Sequence, residues 1–213
     1  MSAMNNPYLL YLVTDEHLET ASLLHIVEQA IFGGVTMVQL REKGNDVQHF
    51  IAKGLALKEL VTPLGIPLII NDRVDVALAV EADGVHLGQS DMPVHFARQL
   101  LGPNKLIGLS VENEAQLLES ARLPIDYIGL SAIFASQTKR DTLREWGIAG
   151  LQRAVAQSEL PVVAIGGIDQ RNITEVAATG AAGIALVSAI CHAEDPKLAA
   201  LQLCDRIALG QSK

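Results

Sequence analysis

Cysteine is scarce in this chain: Cys191 and Cys204 stand far apart with no CxxC spacing, which gives no basis for a disulfide framework or a cysteine-rich zinc site. A reduced, cytoplasmic setting is the expectation. Basic residues are also in short supply, since 16 Lys+Arg against 24 Asp+Glu leave a net charge of -8, and the cations are scattered rather than gathered in a patch or tail. This argues against nucleic acid as a partner, though not against small anions held by a few placed cations. No Lys or Arg precedes Arg41, so the opening segment lacks the positive region of a secretory signal and the Arg-rich character of a transit peptide. A mature N-terminus is expected. Long apolar runs are missing too, because Gly180–Cys191 and Leu64–Ile70 fall short of the roughly 18 residues that a membrane span needs. No membrane partner is expected. Nothing resembling GxGxxG follows the first strand-like run, where Thr14-Asp15-Glu16-His17 stands instead, and this weakens a dinucleotide-binding reading.

What the chain does have is apolar material in a regular arrangement. With 213 residues, 49% of them hydrophobic and 19% charged, it can bury a sizeable core, and a single domain over residues 1–213 is expected. Short runs rich in Val, Ile and Leu recur at a spacing near 25–30 residues: Leu9–Val13, Thr36–Leu40, Pro67–Ile70, Gly84–Leu87, Leu106–Leu109, Tyr127–Leu130, Pro161–Ile165 and Gly183–Val187. Each is nearly continuous in apolar residues, as a strand buried on both faces of a parallel sheet reads. Between and after them lie segments with helical spacing: Leu23–Phe32, Phe50–Leu60, a short one around Val74–Glu81, Val94–Leu101, Glu114–Ala121, Leu151–Gln157, Ile173–Thr179 and Leu198–Leu209. Strict alternation of strand and helix implies parallel strands joined by right-handed crossovers. Eight units in about 210 residues predict a compact (β/α)₈ TIM barrel, with an open doubly wound sheet as the alternative.

A barrel enzyme carries its chemistry on the loops after the C-terminal ends of its strands. Here the second strand runs into Arg41-Glu42-Lys43, the third into Asn71-Asp72, the fourth into Gly88-Gln89-Ser90-Asp91 and the fifth into Ser110. These groups suit a polyanion with a divalent metal. Mg²⁺ takes hard oxygen ligands and needs only one or two protein carboxylates when substrate phosphates supply the rest, so Asp72 and Asp91 are candidate ligands. Arg41, Lys43 and Lys139 would neutralise the remaining phosphate charge, with Asn71 and Ser110 adding neutral hydrogen bonds. Simpler readings stand beside these: Asn71-Asp72 as a turn or cap, Asp91 as the cap of the next helix, and Arg41-Glu42-Lys43 as a solvated turn. His86 reads as a core histidine, and Trp146 and Cys191 as packing residues. Gly166-Gly167 after the seventh strand, ahead of a helix near Asn172, and Ser188 after the eighth form a second candidate anion site, free of metal. The connection Ser131–Trp146, containing Ser136-Gln137-Thr138-Lys139, is a candidate lid.

These residues resemble one known family. Gln39-Leu40-Arg41-Glu42-Lys43, Ile70-Asn71-Asp72, the segment from Asp83 to Asp91, Gly108-Leu109-Ser110, Gln137-Thr138-Lys139 and Ala164-Ile165-Gly166-Gly167-Ile168, in that order, are similar to the thiamine-phosphate synthases. The resemblance runs from about Tyr8 to Pro196. It implies a (β/α)₈ barrel that joins hydroxymethylpyrimidine diphosphate to a thiazole phosphate with Mg²⁺, by a dissociative substitution releasing pyrophosphate. By the same resemblance Arg41, Lys43, Asn71, Ser110 and Lys139 bind the diphosphate and Asp72 and Asp91 hold Mg²⁺. Ser136, Thr138, Gly167, Val187 and Ser188 bind the thiazole phosphate, and Gln39 lies near the pyrimidine. The chain departs from the family's pattern after the sixth strand: the family commonly has Gly-Pro and then Pro-Thr before the Thr-Lys, whereas Leu130 is followed here by Ser131-Ala132-Ile133-Phe134-Ala135-Ser136. Related readings are a thiazole tautomerase-like barrel, which would lack the metal and diphosphate set, and a non-catalytic barrel that binds a thiazole phosphate. The sequence leaves a homo-oligomer open.

Overall fold

A computed structural model describes residues 6–135 and 145–212. Eight parallel strands close into a barrel in chain order: β1 (Leu10–Val13), β2 (Met37–Leu40), β3 (Leu68–Asn71), β4 (Gly84–Leu87), β5 (Leu106–Val111), β6 (Tyr127–Leu130), β7 (Val162–Ile165) and β8 (Gly183–Leu186). Closure decides between the two predicted sheets, because β1 pairs with β2 on one side and with β8 on the other. The chain is a single-domain (β/α)₈ barrel. All eight runs predicted as strands are strands, within a residue or two at each end.

The helices are α1 (Thr20–Phe32), α2 (Val47–Val61), α3 (Val74–Ala79), α4 (Val94–Leu101), α5 (Glu114–Ser120), α6 (Gly147–Gln157), α7 (Ile173–Ala177), α8 (Ser188–Cys191) and α9 (Pro196–Gln211). Some begin earlier than apolar periodicity marks them, because polar caps start them. Asp46 accepts from the His49 amide ahead of α2, and Asp195 accepts from the Leu198 amide ahead of α9. The four-residue α8 has too little periodicity to be read from sequence.

Strand alternation sorts the side chains into two sets. Leu10, Leu12, Val38, Leu40, Leu68 and Ile70 point outward and pack under the helices in the main core, each of them wholly buried. Burying such a side chain contributes about 1.5–3 kcal/mol. Tyr11, Val13, Met37, Ile69, Tyr127, Val163 and Ala185 point inward and fill the lumen as a separate cluster. Register carries this parity around the barrel, since Gln39 lies beside Ile69, Asn71 beside His86, His86 beside Gly108, and Ser110 beside Gly129. Gln39, Asn71, His86 and Ser110 therefore rise from the lumen toward the C-terminal ends of the strands.

Candidate active site

Above the lumen cluster opens a cavity of about 930 Å³, within the size range of small-molecule sites. Gln39, Arg41, Lys43, Asn71, Asp72, Asp91 and Ser110 line one side, and Gly167, Val187 and Ser188 the other. Every predicted site residue among those described reaches this one cavity. Ser136, Thr138 and Lys139 lie outside the described residues, as does most of the predicted lid.

The β2 loop is held so that its cations face inward. Glu16, from the segment after β1, binds Arg41 Nη1 at 2.9 Å through one carboxylate oxygen and accepts the Lys43 amide at 3.2 Å through the other. Thr14 Oγ1 accepts the Arg41 amide at 3.0 Å. Glu42 turns the opposite way and pairs with Lys53 of α2 at 2.7 Å, with both side chains nearly buried. The Arg41-Glu42-Lys43 turn is thus anchored from β1 and α2 and is not a freely solvated one.

Asp72 and Asp91 come together at the cavity wall. Asp72 takes the left-handed backbone conformation, φ 64°, with its amide donating to the His86 carbonyl at 2.8 Å. Such strain in a non-glycine residue persists where the surroundings hold it, and Asp tolerates it better than most residues. Lys43 Nζ donates to Asp72 Oδ2 at 2.5 Å. Asp91 Oδ2 accepts the Gly88 amide at 2.6 Å, and α4 is capped by Pro93 with no side-chain cap bond. Asp91 is therefore not the helix cap, and Asp72 does not cap α3, which starts from Arg73. Burial raises the Asp91 pKa, the Gly88 amide opposes that rise, and the neighbouring Asp72 adds to it. Two carboxylates at mutual cost suit a small divalent cation, whose charge removes the cost. Among the described residues no group of three or more His, Cys, Asp or Glu side chains could hold a metal, so a cation here would draw further ligands from substrate and water.

Opposite, Gly166 and Gly167 both have positive φ, 103° and 64°. A Cβ on Gly167 would lie 2.5 Å from the Ala135 carbonyl oxygen, so only glycine fits. Asn172 shapes this turn by donating to the Gly167 carbonyl at 2.9 Å and accepting the Asp169 amide at 2.9 Å. The helix expected near Asn172 is the five-residue α7, which starts at Ile173. On this side the Gly166-Gly167 backbone and Val187-Ser188, where β8 passes into α8, line the cavity.

Several residues have roles the sequence did not disclose. His86 is not a packed core histidine: it lines the cavity, with its ring nitrogens 3.1 Å from Tyr127 OH and 3.0 Å from Ser110 Oγ. Tyr11 and Tyr127 stand beside it in the cavity floor, with their hydroxyls 2.9 Å apart. Period-2 parity alone could not have found them, because Tyr11, His86 and Tyr127 lie on β1, β4 and β6 and only register relates those strands to Gln39 and Ser110. Trp146 packs against the main core as expected, and its indole also donates to the Ser131 carbonyl at 3.2 Å. Cys191 is buried in the core as expected.

Comparison with known proteins gives the family and supports the fold. The thiamine monophosphate synthase family matches residues 10–190. The thiamine-phosphate synthase of Vibrio campbellii is 62% identical over 194 residues, 91% of this chain and 95% of that one. The thiamine-phosphate synthase of Chloroflexus aurantiacus is 47% identical over 205 residues, 96% of this chain and 94% of that one. The solved thiamine phosphate pyrophosphorylase of Pyrococcus furiosus superposes with a TM-score of 0.87 at 38% identity, covering 97% of this chain and 98% of that one. A 3-hexulose-6-phosphate synthase at 18% identity and a TM-score of 0.68 shares the fold. On the match over residues 10–190 and relatives of this identity, the chain belongs to the thiamine monophosphate synthase family and is a transferase of thiamine biosynthesis.

Proposed function

We propose that this enzyme condenses hydroxymethylpyrimidine diphosphate with hydroxyethylthiazole phosphate, giving thiamine phosphate and pyrophosphate. The observation that carries this reading is one cavity with a cationic, dicarboxylate wall from β2 to β5 and a glycine-rich anion wall from β7 and β8. One wall suits a diphosphate and the other a monophosphate.

The bond from the pyrimidine methyl carbon to the diphosphate oxygen breaks, and its electron pair leaves with the diphosphate. The thiazole nitrogen then supplies the pair for the new C–N bond. No nucleophilic side chain is needed, only stabilisation of charge on the leaving group and exclusion of water. Arg41 and Lys43 supply positive charge to the diphosphate, Asn71 and Ser110 bind its oxygens, and Lys139 completes the set. Asp72 and Asp91 would hold a Mg²⁺ ion, and the chemistry it would supply is positive charge beside the departing diphosphate. Gly167, Val187 and Ser188, with Ser136 and Thr138, grip the thiazole phosphate, and Gln39 contacts the pyrimidine. Holding both partners in one walled cavity supplies much of the rate. Residues 1–213 act as one domain, in the cytoplasm. Among the described residues no helix is long and apolar enough to cross a membrane.

Pyrophosphate release tests this reading. Release should require both substrates and Mg²⁺ and should stop with a chelator. Asp72→Asn, which keeps a residue tolerant of the left-handed conformation, should lower turnover at least about 100-fold, the effect of losing several kcal/mol of charge stabilisation. A folded wild-type enzyme that releases none would overturn it.

A further inference from the structure

Below the two walls, five side chains form one continuous hydrogen-bond chain across the barrel. Gln39 Nε2 donates to Tyr11 OH at 2.7 Å, and Tyr11 OH lies 2.9 Å from Tyr127 OH. Tyr127 OH lies 3.1 Å from His86 Nδ1, and His86 Nε2 lies 3.0 Å from Ser110 Oγ. The chain begins on β2, crosses the lumen through β1 and β6, and ends on β4 and β5.

Counting protons gives this chain a direction. The Gln39 amide nitrogen, Nε2, can only donate, so the Tyr11 oxygen accepts there and its single proton goes to Tyr127. Burial pushes both phenols above their ordinary pKa, so each keeps its proton. Tyr127 is wholly buried, and a buried hydroxyl proton without an acceptor is costly. Having accepted from Tyr11, Tyr127 must therefore donate to His86 Nδ1. That nitrogen then lacks a proton, which sits on Nε2 and is donated to Ser110 Oγ. The Ser110 hydroxyl accepts from below, and its own proton is directed away from His86, toward the cavity that it lines.

The packing is arranged for this pair of rings. A Cβ at Gly108 would lie 2.2 Å from Tyr127 Cζ and 2.4 Å from His86 Nδ1, and one at Gly129 would lie 2.9 Å from His86 Cε1. Two inward strand positions are glycine, and the rings occupy the space a side chain would take.

We propose that His86 and Tyr127 are positioning residues that hold Ser110 as a hydrogen-bond donor to the departing diphosphate, with the direction of the chain set by Gln39 on the far side of the barrel. This rests on the assignment of Ser110 to the diphosphate. Transition-state charge on the leaving group is then met by an oriented proton that needs no rotation at the moment of bond cleavage.

The tautomer is the first test, made on the wild-type enzyme. Nitrogen-15 spectra of histidine-labelled protein, with His86→Gln identifying the signal, should show His86 protonated at Nε2 and bare at Nδ1. A proton on Nδ1 would overturn the proposal. The second test is a kinetic cycle. Tyr127→Phe should lower kcat/KM for the pyrimidine diphosphate about tenfold, the size expected for a hydrogen bond to a charged group, while KM for the thiazole phosphate stays unchanged. In a Ser110→Ala background the same change should cost less than about twofold, because its effect passes through Ser110. Losses that multiply would overturn the proposal alone. Full activity in Ser110→Ala would remove the diphosphate contact itself and the proposal with it.

Discussion

At the Asp91 carboxylate the proposed metal site and folding stability pull in opposite directions. Burial and the adjacent Asp72 raise its pKa, against the opposing Gly88 amide, so the folded protein holds this proton more tightly than the unfolded chain does. Ionised Asp91 therefore opposes folding above its folded pKa, and the penalty vanishes below the unperturbed value of 3.8. Asp91→Asn keeps an acceptor for the Gly88 amide and removes the charge. It should raise the melting temperature of the metal-free protein at pH 7, with the gain shrinking toward about pH 4, and it should abolish most Mg²⁺-dependent turnover. Melting curves across that range decide the matter, and an equal or lower melting temperature at pH 7 would contradict the assignment. The sequence offered Asp91 as either cap or ligand, and could not choose. The choice depends on whether the carboxylate meets the α4 amides or the Gly88 amide, which is a matter of three-dimensional placement.

At the level of the element, the β2 loop presents cavity-facing cations that are supported from behind. Arg41 and Lys43 face the cavity because Glu42 is drawn back onto Lys53 of α2, in an ion pair whose side chains are 3% and 11% exposed. Lys53→Met would leave a nearly buried carboxylate unpaired, at a cost of about 3–5 kcal/mol. Urea unfolding should show a midpoint lowered to match, and an unchanged midpoint would show that the pair contributes nothing. The Arg-Glu-Lys triplet was legible in the sequence as a candidate site. Its anchor was not, because Lys53 lies on the next helix and nothing local marks it as the partner of Glu42. Helix starts follow the same logic: α2 and α9 begin at polar caps ahead of the apolar residues that show the period.

For the whole molecule the decisive feature is the seam. The barrel closes where β8 meets β1, and a Cβ on Gly183 would lie 1.8 Å from the Tyr8 carbonyl oxygen. Gly183→Ala would force the two strands apart. It should lower stability by about 1–3 kcal/mol, the usual cost of overpacking, and loosen both walls of the cavity together. Hydrogen exchange should report it as faster exchange in β1 and β8 than in β4 and β5, and an unaltered pattern would mean that the seam adjusts at no cost.

The number and order of the strands, their parallel arrangement and the residues at their C-terminal ends could all be read along the chain. They are legible there because doubly buried strands read as continuous apolar runs and because loop chemistry sits beside the run that precedes it. Tertiary structure alone decided that the sheet closes, that Asp72 and Asp91 share a wall, and that Tyr11, Tyr127 and His86 join Gln39 to Ser110. Each of these is a contact between strands or loops distant in sequence, fixed by register and barrel curvature. In a single sequence, nothing local records which inward positions will meet across a lumen.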